Sequence, residues 1–66
     1  MAIIKELREK EGLSISRLSQ KAEVNASSLC QIERGRLAAS AAVRARLAEF
    51  YERPENVLFD DLGLAR

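Results

Sequence analysis

Apolar positions recur at helical spacing in five successive stretches of this chain, each bounded by a residue suited to starting or stopping a helix. In the first, Ala2 to Glu11, Ile3, Ile4 and Leu7 share one face and Lys5, Glu6, Glu9 and Lys10 lie largely elsewhere; Gly12 follows as a stop. Ser14 is placed to cap a second helix, Ile15 to Ala22, where Ile15, Leu18, Ser19 and Ala22 repeat at i, i+3, i+4 and i+7. The small Ser19 and Ala22 leave room for another helix to approach. Glu23 and Val24 form the turn, and Asn25 caps what comes next. A solvated loop has no use for Val24, so it is expected to plug the angle between the two helices.

The third stretch, Ala26 to Arg34, divides cleanly when side chains are placed by helical rotation. With Leu29 at zero, Ile32 lies about 60° to one side and Glu33 about 40° to the other, while Ser27, Gln31 and Arg34 sit about 140° to 200° away. Leu29 and Ile32 therefore face the core, and Ser27, Gln31 and Arg34 face out. Glu33 is the anomaly. It is a carboxylate turned inward, and it demands a partner because an unpaired buried charge is costly. Gly35 ends this helix and Arg36 follows. Ser40 caps a fourth helix, Ala41 to about Tyr51, with Val43, Leu47 and Phe50 inward. Pro54 marks the first turn of a short fifth helix reaching about Phe59. Asp60 to Arg66 shows no periodicity and is expected to fray unless a partner orders it.

Composition agrees with an all-α bundle: aromatics are only 5% of the chain, and Ala, Leu, Arg and Glu are plentiful. Sixty-six residues make one small core, with about 60% of the unfolded surface buried. We read residues 1–60 as the domain and 61–66 as a tail. One cysteine, Cys30, and no histidine exclude a disulfide scaffold and a zinc finger. Cys30 on the flank of the third helix is either a redox-sensitive thiol or simply a small side chain. No stretch is long and apolar enough to span a bilayer, and no leader precedes the first charges, so a cytoplasmic setting is expected. No metal-ligand cluster or phosphate-cradling glycine loop occurs; neither catalysis nor a cofactor or small-molecule ligand is expected.

The net charge of +1 conceals an uneven distribution: residues 1–23 carry +1, residues 24–46 carry +3 and residues 47–66 carry −3. The positive segment is centred on the third helix.

The pattern Ser14, Leu18-Ser19, Ala22-Glu23-Val24-Asn25, Leu29, Ile32-Glu33-Arg34-Gly35-Arg36, continuing through Ser40, Leu47-Ala48 and Leu58-Phe59, resembles the Cro/repressor-type (XRE-like) helix-turn-helix family. The resemblance implies a compact five-helix bundle of the lambda-repressor-like DNA-binding type, with helices two and three forming the helix-turn-helix. It implies double-stranded DNA as partner, a homodimer on a two-fold operator, and a role as a repressor-like transcriptional regulator. The family's base-reading positions map onto Ala26, Ser27 and Gln31. Gln31 has the geometry to pair with adenine N6 and N7, a contact worth about 1–3 kcal/mol of discrimination. The plainer alternative for Ser27 and Gln31 is a solvated face. Ser28, Arg34 and Arg36 suit phosphate contacts. Where the family often carries a phosphate-binding glutamine this chain has Ile15, leaving Ser16 or Arg17 to replace it. Arg44 and Arg46 are either sources of longer-range attraction or solvated charges. By resemblance, Arg8 is the partner that Glu33 requires. Glu23 and Glu52 stand where the family usually has glycine, at a cost of about 1 kcal/mol each if the left-handed turn is kept. Leu58, Phe59, Leu62 and Leu64 are the least polar stretch outside the motif and are assigned to a dimer contact. The competing reading is a protein-interaction or antitoxin-like module that keeps the helices but binds a protein.

Overall fold

The computed structural model describes residues 2–66, and it is all-helical apart from one isolated bridge between Phe59 and Ala65. The helices are α1 (Ile3–Lys10), α2 (Ile15–Ala22), α3 (Ala26–Glu33), α4 (Ala41–Tyr51) and α5 (Glu55–Leu58). Three of the starts are fixed by side-chain caps: Ser14 Oγ accepts from Arg17 N–H at 3.1 Å, Asn25 Oδ1 from Ser28 N–H at 3.0 Å and Ser40 Oγ from Val43 N–H at 3.3 Å. Each cap satisfies one amide that the helix itself leaves free, an effect worth about 1 kcal/mol. Pro54 sits one residue further out than the sequence suggests. It is the N-cap of α5, extended at ψ 148°, rather than part of the first turn, and its missing N–H costs nothing in either place.

Helices α1 to α4 all close the same way. The residue after the helix or its last cap turns left-handed, and the amide beyond it reaches back to a carbonyl five residues earlier: Leu13 to Arg8, Val24 to Ser19, Arg36 to Gln31 and Arg53 to Ala48, at 2.9–3.1 Å. Glycine occupies the turning position after α1 and α3, but glutamate does so after α2 and α4, with Glu23 at φ 58° and Glu52 at φ 53°. The missing glycines have not changed the turns; two residues carry the strain instead.

The core collects Ile4 from α1, Leu18 from α2, Leu29 and Ile32 from α3, Leu47 from α4, and Leu58 and Phe59 from the end of α5, all at most 2% exposed. Burying each such side chain contributes about 1.5–3 kcal/mol. Val24 is buried between α2 and α3.

The tail departs from expectation. Rather than fraying, residues 60–66 turn back on themselves and tie down three parts of the chain. Asp60 Oδ1 accepts from the amides of Leu62 at 2.9 Å and Leu64 at 3.0 Å, fixing the turn. Asp60 N–H donates to Leu64 O at 2.9 Å and Arg66 N–H to Leu58 O at 2.9 Å. The Arg66 carbonyl then accepts from Ile3 N–H, satisfying an orphan amide at the start of α1, and Gly63 O accepts from Ala39 N–H at 2.8 Å. Gly63 is required there: its φ is +85°, and a Cβ would lie 2.9 Å from Ala39 O. The same packing corrects the assignment of Leu58 and Phe59 to an outer contact, since both belong to the monomer's own core. Of the four residues named, Leu62 is 76% exposed and Leu64 is half-buried. Periodicity could not reveal this, because a turn held by backbone hydrogen bonds and one aspartate has none.

Candidate nucleic-acid interface

The position of α3 is determined from its inner side. Leu29 and Ile32 are fully buried, and Glu33, 7% exposed, is the one charged residue in the core among the described residues. Its carboxylate meets the Arg8 guanidinium in a two-pronged contact, Nε to Oε2 at 2.9 Å and Nη2 to Oε1 at 3.1 Å. Arg8 Nη1 also donates to Leu13 O at 2.8 Å. One side chain therefore joins α1, the α1–α2 turn and α3. Two charges this far out of water hold only with such complete pairing. Its hydrogen bonds to Glu33 raise the Arg8 pKa further, partial burial opposing them. The third partner, the Leu13 carbonyl, leaves no mark in the sequence.

The angle between α2 and α3 is set by the left-handed Glu23, by buried Val24 and by α4, from which Arg46 Nη1 donates to Glu23 O at 2.8 Å. The outer side of α3 is thereby held clear of the body. Ser27, Gln31 and Arg34 are exposed, and Ala26 is half-buried beside them. Ser28 is half-buried, with its amide occupied by the Asn25 cap. Beyond α3, the turn at Gly35 leaves Arg36 exposed; on α2, Ser16 and Arg17 are exposed.

The arginines separate into two groups here. Arg8, Arg44, Arg46 and Arg66 donate to backbone carbonyls: Leu13, Ala39 (2.6 Å), Glu23, and both Asn56 (2.8 Å) and Phe59 (3.1 Å). Arg44 also pairs loosely with Glu55 at 3.4 Å. Among the described residues, the guanidinium groups of Arg17, Arg34, Arg36 and Arg53 make no internal hydrogen bond or ion pair, and the first three lie on or beside the α2–α3 unit, so their charge is available to something outside the protein. Arg44 and Arg46, which the sequence left open, are structural ties.

The profile of the helix-turn-helix domain family matches residues 2–59, nearly the whole chain. The chain belongs to the helix-turn-helix domain family. Membership implies double-stranded DNA as the partner of this domain and gives no support to catalysis. No match is found among curated proteins or among solved structures. None of the described helices is long and apolar enough to cross a membrane.

Proposed function

We propose that this helix-turn-helix domain is a sequence-specific regulator that lays α3 in the major groove of DNA and represses transcription from a two-fold site. The supporting observation is the outer side of α3: Gln31 and Ser27 stand clear of the body, flanked by arginines that nothing internal engages. The major groove, about 12 Å wide, admits one helix with its side chains. Gln31 is the long base-reading side chain, Ser27 adds a single hydrogen bond, and Ala26 offers a methyl to a thymine methyl. Ser16, Arg17, Ser28, Arg34 and Arg36 hold phosphates and set the register.

The domain measures 27 × 22 × 22 Å, less than one turn of duplex at about 34 Å, so one copy reaches one half-site. Useful affinity then comes from two copies, and Leu62 at the tip of the tail is the exposed apolar residue suited to a contact between them. The cytoplasm is the expected location.

Selection of bound duplexes from a random pool tests the reading. The wild-type chain should enrich a defined half-site, and Gln31→Ala should relax one position of it by about 1–3 kcal/mol while leaving the rest. An unchanged preference removes Gln31 from base reading. Absence of duplex binding even at low salt favours the protein-interaction module instead.

A further inference from the structure

Between α1, the start of α2 and the end of α3 lies a cleft of about 140 Å³, lined by Lys5, Arg8, Ile15, Cys30, Glu33 and Arg34. Three of these residues are cationic and one is acidic, and that acid is already engaged on both oxygens by Arg8. Lys5 is half-buried and makes no internal hydrogen bond or ion pair among the described residues; Arg34 likewise makes none with its side chain. The cleft thus holds two uncompensated cations on facing elements with a wall of Ile15 and the Cys30 thiol between them. It also adjoins the outer side of α3. By rotation Cys30 lies about 40° from Arg34 on that helix, with Ser27 and Gln31 next around. An anion held here would belong to the same ligand that covers α3.

We propose that this cleft seats one backbone phosphate of the duplex, making Lys5 of α1 a phosphate ligand opposite Arg34. The inference rests on the reading of α3 as the groove-bound helix and adds a third helix to the contact. Lysine serves here as a point charge, so the contact strengthens binding to every sequence without altering which one is preferred. Because Lys5 has no internal partner, replacing it leaves the fold unstrained.

Cys30, the chain's single thiol, reports on the cleft directly. Its alkylation by neutral N-ethylmaleimide is followed alone, with saturating duplex, and with millimolar inorganic phosphate. In parallel, the salt dependence of duplex binding is measured for the wild type, Lys5→Gln and Lys21→Gln, the last on the exposed end of α2 and lining a different cleft. The expected result is alkylation slowed several-fold by duplex but not by inorganic phosphate. The slope of log affinity against log salt should flatten by about 0.9 for Lys5→Gln and stay unchanged for Lys21→Gln, with the selected sequence the same for all three. Duplex binding with an unchanged slope in Lys5→Gln, or with Cys30 still reacting at its free rate, overturns the site while leaving the reading of α3 standing. Equal protection by inorganic phosphate marks a free-anion site and overturns it too. Failure of the wild-type chain to bind duplex overturns both.

Discussion

The half of the molecule built from α4, α5 and the tail turns three of its four arginines on itself, Arg53 being the exception, while the α2–α3 half leaves its own exposed. Arg44, Arg46 and Arg66 each end on a backbone carbonyl and hold a loop in place. Arg17, Arg34 and Arg36 end in solvent. Both groups look alike in a count of charges, and Arg44 and Arg46 even fall within the +3 segment, yet only one group is available to a polyanion. A basic residue contributes to an interface only after the protein's own carbonyls have been accounted for. Arg8 lies at the joint between the two behaviours, ionically paired to α3 and hydrogen-bonded to a turn.

Breaking that joint should have the largest effect. Arg8→Ala leaves the Glu33 carboxylate buried and unpaired, and denaturant unfolding should show a loss of about 3 kcal/mol. Arg8→Ala with Glu33→Ala should cost clearly less than the sum of the single changes, because the stranded charge is gone. Additive losses would mean that the pair is not coupled and that α3 is placed by packing alone.

The turns separate the halves in the opposite direction. Glu23→Gly and Glu52→Gly relieve left-handed strain and should each raise stability by about 0.5–1 kcal/mol, after the extra entropy of glycine in the unfolded chain is subtracted. The change at Glu23 acts on the turn that aims α3, and the change at Glu52 acts on the turn that closes α4. Equal stabilisation with duplex affinity altered only by Glu23→Gly would locate the functional turn. A loss of stability at either site would show that the glutamate side chain compensates its own strain.

A further effect is confined to alkaline solution. Tyr51, 8% exposed and edge-on to Phe50 with ring centroids 5.1 Å apart, has its hydroxyl pushed up to about 12 by burial and secondarily by the negative Glu33. The folded state therefore keeps the phenol neutral above the ordinary value of about 10, at which the unfolded chain ionises. Stability from this source is complete below about pH 10 and is lost as pH rises towards 12. Thermal unfolding as a function of pH should show that decline in the wild type and a shallower one in Tyr51→Phe.

Helix starts were legible in the sequence because caps are local. Ser14, Asn25 and Ser40 each precede an apolar repeat, and each accepts from the amide three residues on. The two sides of α3 were legible because rotation is regular, which is how Glu33 stands out without any structure. The tail was not, since its order depends on Gly63 meeting Ala39 and Arg66 meeting Ile3 across the fold. For the same reason apolar character alone could not tell Leu58 and Phe59, which fill the core, from Leu62, which does not. The roles of Arg44 and Arg46 were hidden because backbone carbonyls at loop ends leave no mark in a sequence.

Salt dependence of duplex binding tests the central claim most directly, by comparing Arg34→Gln with Arg36→Gln in one variant against Arg46→Gln in another. Each lost phosphate contact flattens the slope by about 0.9, so the double variant should lose nearly two units and Arg46→Gln none, whatever its cost in stability. A slope that is unmoved in the Arg34/Arg36 variant, or equally flattened in Arg46→Gln, would contradict the assignment of the α2–α3 half as the surface that meets DNA.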